Sequence, residues 1–110
     1  MARKWTQWRR FPDPRKLELL AAPFGPGCYE LRDGAQLVLF GMGSHVVTRM
    51  TSLLPPPLGS GTRNNRDKRN YILGHLDSIT YRTIACATTQ EAKECERKLR
   101  SNRDDYLFPT

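Results

Sequence analysis

Cysteine is scarce and irregularly placed. Cys28, Cys86 and Cys95 are the three present, and no two stand in a Cys-x-x-Cys spacing. That count argues against a disulfide framework or a zinc site and makes a reducing cytoplasm the default. Long apolar runs are also missing. None exceeds that of Leu37-Val38-Leu39-Phe40, against the ~20 residues of a membrane-spanning helix, so no membrane association is expected. The opening residues, Met-Ala-Arg-Lys-Trp, hold no apolar stretch, and no signal peptide is expected. Internal repeats are absent. The 110 residues leave no room for a second independent domain. With 38% hydrophobic and 26% charged residues, a disordered or fibrous chain is not expected.

Acidic residues are in the minority, eleven against eighteen Lys and Arg, for a net charge of +7. A basic domain of this size points to an anionic partner, nucleic acid before membrane and DNA before RNA. The excess lies in two blocks. Arg3, Lys4, Arg9, Arg10, Arg15 and Lys16 face only Asp13; Arg63, Arg66, Lys68 and Arg69 face only Asp67. Arg9, Arg10, Arg63, Arg66, Lys68 and Arg69 are the candidate phosphate contacts, against the plainer reading of a solvated face. Trp5 and Trp8 lie within the first block. They suit base stacking, or an arm pinned to the domain by its aromatics; the second is preferred, since exposed tryptophans are costly. Trp5/Trp8 and the tail Tyr106-Leu107-Phe108 are also the candidate surfaces for a protein partner.

Along the chain, residues 1–25 read as a basic and aromatic arm with a short helical turn within Arg15–Ala22. Residues 26–110 read as the domain, with a Pro/Gly-rich basic insertion at 55–70. Cys28–Arg32 and Gln36–Phe40 read as strands joined by a turn at Asp33-Gly34. Gly41-Met42-Gly43 is expected to end the second strand. Ser44 is expected to cap a helix running to about Leu54. A short helix through His75 follows the insertion, then a strand over Asp77–Ala87. A last helix over Gln90–Asn102 is capped by Thr88 or Thr89, with Glu91 or Glu94 in the capping-box role. The expected fold is α+β: a small, three-stranded, mostly antiparallel sheet flanked by helices in the order β-β-α-β-α, with the helix through His75 as an extra turn.

Gly27-Cys28-Tyr29 on the first strand, Leu39-Phe40-Gly41 on the second, Arg49 on the next helix and Glu91-Ala92-x-x-x-Glu96-x-x-Leu99 on the last occur in that order. In this conjunction the chain resembles the GIY-YIG nuclease superfamily over about Pro26–Leu99. The resemblance implies a metal-dependent endonuclease hydrolysing phosphodiester bonds in DNA. It implies that Tyr29 orients or deprotonates the attacking water and that Arg49 holds the scissile phosphate. Glu96 would be the protein's metal ligand, for Mg2+ or else Mn2+, and Gly41 and Gly43 would admit the substrate backbone. Phosphodiester hydrolysis needs such an activated water and positive charge at the phosphate. His45, four residues before Arg49, is a further candidate for proton transfer or phosphate contact; His75 reads as structural or exposed.

Leu39 stands where the family has a second tyrosine and Met42 where lysine is common, and Asn102 is a poorly spaced counterpart of a family asparagine. These departures support an alternative, a catalytically impaired relative that binds nucleic acid. A protein-interaction subunit of a larger assembly is the third reading. The plain alternatives for the residues are a strand tyrosine at 29, a surface charge at Arg49, and an i, i+4 pair of Glu96 with Arg100. With no attached domain, weak sequence specificity is expected.

Overall fold

A computed structural model of the chain describes residues 4–16, 18–54 and 66–108. The core of the fold is a hairpin of β2 (Gly27–Asp33) and β3 (Gln36–Gly43). Its turn is Gly34-Ala35, one residue later than the expected turn. Gly34 takes φ +58°, a sign that tight hairpin turns require and glycine adopts without strain. β4 (Ile79–Ala85) pairs antiparallel with the other side of β2, and the arm adds a two-residue strand, β1 (Arg9–Arg10), beyond β4. The order is β1-β4-β2-β3. The sheet is thus antiparallel and four-stranded: the three expected strands plus the arm. The arm joins because Phe11 is fully buried beside Tyr81, so the backbone before it lies alongside β4, where Thr6 N donates to Thr83 O.

β3 does not stop at Gly41. It pairs with β2 out to Gly43 opposite Gly27, since a strand pairs for as long as a neighbour offers backbone partners. A bulge makes Val38 the extra residue, so that both Val38 and Leu39 are buried.

Alternation then assigns the two faces. Tyr29 and Leu31, with Leu39, Gly41, Tyr81 and Thr83 opposite, share one face. Onto it pack α1 (Val46–Met50), the 3-10 turn Thr51–Leu53 that continues it, and α2 (Arg66–Gly74), through Val46, Met50, Leu53 and Ile72. Cys28 and Glu30, with Phe40, Met42, Arg82 and Ile84 opposite, share the other. There α3 (Thr89–Arg100) is seated, the Cys28 thiol donating to Ala92 O at 3.2 Å. The fold is α+β, a small sheet flanked by helices on both faces.

The local details correct several boundaries. His45, not Ser44, is the N-cap of α1, because its ring Nδ1 stands 2.8 Å from Thr48 Oγ1 and takes the Thr48 N–H. The α-helix ends at Met50, earlier than Leu54, as the chain tightens into 3-10 geometry. Thr88 caps α3 by accepting from Glu91 N (3.1 Å), and Glu91 accepts in return from Ala87 N (3.0 Å). The turn expected within Arg15–Ala22 is a 3-10 turn at Pro14–Lys16, drawn earlier by Asp13, which accepts from Arg15 N. Residues 55–65, which hold most of the expected insertion, lie outside the described residues. Among the described residues no helix is long and apolar enough to cross a membrane.

Candidate functional site at the edge of the sheet

Tyr29 points from the central strand β2 toward the edge strand β3, where its register partner is Gly41. A side chain at Gly41 would overlap the Tyr29 ring and its hydroxyl, so the phenol lies across the glycine and reaches the sheet edge. Gly27 is required for a different reason. A Cβ there would run into the carbonyl oxygen of Ile84 on β4 and into Val46 of α1. Each glycine therefore permits a close approach, and the Gly41 approach is what brings the phenol out of the sheet.

At this edge the layers on the two faces of the sheet meet. A cleft of about 170 Å3 is lined by Tyr29, Gly41, Met42, Arg49, Lys68, Glu96 and their neighbours Phe40 and Arg100. Tyr29, Arg49 and Glu96, distant in the chain, converge here. Lys68 belongs to the cleft itself, and Arg100 does so too. The sequence carries a signal for both. Lys68 is four residues before the buried Ile72 and so on its face of α2, and Arg100 is four residues after Glu96 on α3.

The electrostatics follow from this crowding. Burial pushes the Tyr29 hydroxyl above the ordinary tyrosine range, against the pull of the Arg49 guanidinium beside it. The phenol is thus neutral at neutral pH and presents an O–H. Lys68 is half-buried, and burial together with the Arg49 charge lowers it from the ordinary lysine value. Glu96 pairs with Arg100 at 2.8 Å, the expected i, i+4 pair, while its side chain keeps 22% of its surface open at the cleft. Among the described residues no group of three or more His, Cys, Asp or Glu side chains converges on one point. The donor set at the cleft is therefore the single carboxylate of Glu96. That set fits a Mg2+ that keeps most of its water and meets phosphate oxygens, and does not fit an all-protein metal cage.

The other predicted residues are placed less uniformly. His45 is exposed and lies outside this cleft, in a neighbouring depression with Gly43 and Arg49. Arg66 is exposed at the start of α2, whereas Arg69 is partly buried and donates to Ser52 O at 3.3 Å. Arg9 and Arg10 are exposed on β1, at the opposite edge of the sheet from β3, ~14 Å away at the usual strand spacing. Arg63 lies outside the described residues. Asn102 is exposed and does not line the cleft. Leu39 is buried in the core beside Leu31, so no second phenol lines the cleft.

Trp5 and Trp8 are partly buried and pinned to the sheet. The Arg82 guanidinium lies 4.6 Å from the Trp5 ring and 4.7 Å from the Trp8 ring, and Arg32 lies 4.1 Å from Trp8. Arg82 in turn pairs with the buried Glu30 at 2.7 Å, and Tyr106 donates to the same carboxylate. Tyr106 is buried and Phe108 packs against the core, while Leu107 is exposed.

Comparison of the chain with models of known families, with curated proteins and with solved structures finds no match in any of the three.

Proposed function

We propose that the protein is a metal-dependent endonuclease of GIY-YIG type, acting on DNA phosphodiesters at the cleft beside Gly41. The observation that carries this reading is the convergence of Tyr29, Arg49 and Glu96, from three separate elements, on one small cationic cleft. Arg49 would hold the scissile phosphate, since its planar fork matches two phosphate oxygens. Lys68 adds a second cation where the phosphate would lie, on α2 rather than after the second-motif glycine, where Met42 stands. The two charges oppose the negative charge that builds on the phosphoryl oxygens in the transition state. Tyr29, held neutral, orients the attacking water through hydrogen bonding at its hydroxyl. Glu96 would hold the metal through its cleft-facing carboxylate, with Arg100 fixing the side chain. When bound, Mg2+ would supply a polarised water and charge neutralisation at the phosphate. Cys28, Cys86 and Cys95 are not joined in disulfides, which suits a reducing compartment such as the cytoplasm.

The test is nicking of supercoiled plasmid at low salt with Mg2+, Mn2+ or EDTA. Wild-type protein is expected to nick in either metal and not in EDTA. Glu96→Ala and Arg49→Ala are each expected to reduce the rate by at least about a hundredfold, the loss typical of a charge that acts on the transition state. Metal-independent nicking, or nicking retained in Glu96→Ala, sinks the assignment.

A second reading has an observation of its own. Leu39 is sealed in the core and Tyr29 is pushed away from ionisation, which suits a relative that binds nucleic acid without turnover. Its signature is binding that weakens steeply as salt rises, with no cleavage.

A further inference from the structure

Beside the cleft the surface opens into a wider depression of about 530 Å3, lined by Met42, His45, Thr48, Arg49 and Ser52 among others. Met42 and Arg49 line both, so the two are continuous. Against His45 of this lining stands Phe24, 77% exposed, its ring 5.9 Å from the imidazole and inclined to it at 66°. The ring forms no part of the apolar core. Its backbone is nevertheless fixed. The carbonyls on either side, Pro23 O and Gly25 O, accept from Val47 N (2.9 Å) and Val46 N (3.1 Å) at the start of α1. A benzyl side chain is thus displayed to solvent on a tethered loop, backed by an imidazole that lines the same depression as the arginine assigned to the phosphate.

Resting on the reading of the cleft as a phosphodiester site, we propose that Phe24, backed by His45, is the stacking platform for one unpaired base adjoining the phosphate at Arg49. The preferred substrate is then DNA with a single-stranded segment beside the cut. Every base offers a flat face to an aromatic ring, whereas a base inside a duplex is already covered by its neighbours. The depression is of small-molecule size, and it joins apolar surface, which suits the face of a base, to the Arg49 cation, which suits a phosphate.

The experiment measures binding in EDTA, where cutting is blocked, of a short single-stranded DNA carrying 2-aminopurine and of the same base in a blunt duplex. Wild-type protein is expected to quench the single-stranded probe. Phe24→Ala and Phe24→Leu are expected to weaken single-strand binding about tenfold, in keeping with the loss of one stacked base. Phe24→Tyr is expected to restore binding and quenching, and duplex affinity is expected to change less than twofold. Plasmid nicking with Mg2+ is run on the same proteins. Unchanged single-strand affinity in Phe24→Ala with nicking intact overturns the platform and leaves the cleft reading standing. Full affinity in Phe24→Leu overturns stacking in favour of a merely apolar contact. No binding of either DNA by the wild type, together with no nicking, overturns both.

Discussion

An added methyl group distinguishes Gly41 from Gly27. In Gly41→Ala the added carbon displaces a phenol ring, which swings at modest cost, so stability falls by about 1–3 kcal/mol. Nicking is expected to fall as far as in Tyr29→Phe, because the hydroxyl no longer lies at the sheet edge. In Gly27→Ala the carbon meets the β4 backbone, which has no rotamer to change. That variant is expected to unfold at clearly lower urea than Gly41→Ala. Full nicking by Gly41→Ala would show that the position of the phenol is irrelevant. The pH profile tests the same residue. Since burial keeps Tyr29 protonated, its O–H is intact from pH 6 to 9, and the nicking rate should show no inflection that Tyr29→Phe removes. A tenfold rise per pH unit up to pH 9, lost in Tyr29→Phe, would instead make the phenol the base. The motif residues were legible because glycine, tyrosine, arginine and glutamate each stand at a telling place in the order. Lys68 was legible only as one charge in a basic block. Its place in the cleft needs the face of α2, which Ile72 sets from four residues further on.

Asp33 ties three parts of the fold together. At the end of β2 its carboxylate accepts from Tyr71 of α2 at 2.7 Å and from Ser78 just before β4. The Ser78 hydroxyl, then that of Tyr71, holds the Asp33 carboxyl below its ordinary value. A carboxylate favoured in the folded state stabilises the protein above the unfolded pKa of about 3.9 and loses that contribution as pH falls through the lower folded value. Asp33→Asn is therefore expected to cost about 1 kcal/mol at pH 7, reduced by solvent from the full strength of a charged hydrogen bond. The difference from wild type should narrow below about pH 4, as urea midpoints at pH 7 and pH 3 would show. A cost that is equal at both pH values would remove the carboxylate's charge from the account. Boundaries were less legible than element types. Nothing in Gly41-Met42-Gly43 announces a continuing strand; the partner residues of β2 decide it. Nor does the sequence announce that an imidazole, rather than the serine before it, caps α1.

The molecule as a whole covers part of each side of its sheet with its own arm and tail. β1 covers β4, and the tail covers part of β3, with Leu107 N donating to Leu37 O and Phe108 N to Val38 O. Glu30 joins the two closures, since Arg82 and Tyr106 meet on its buried carboxylate and Trp5 and Trp8 lie against Arg82. Arg82→Ala is expected to cost on the order of 3 kcal/mol, as does breaking a largely buried ion pair. Tryptophan emission should shift to the red as the arm loosens, and an unshifted spectrum would deny the arm its anchor. The pairing of a cationic arm with its own sheet was only partly legible: the cost of exposed tryptophans favours a pinned arm, but arginines among tryptophans also suit a foreign base. The open stretch of edge at Gly41 has a separate consequence. The cleft takes its side chains from β2, β3, α1, α2 and α3 together, so no partly opened chain presents it. A phosphate-bearing molecule that binds there selects the fully assembled protein. At a hundred times its dissociation constant it would raise the global unfolding free energy by about 2.7 kcal/mol, and a melting curve would register the occupant without any turnover.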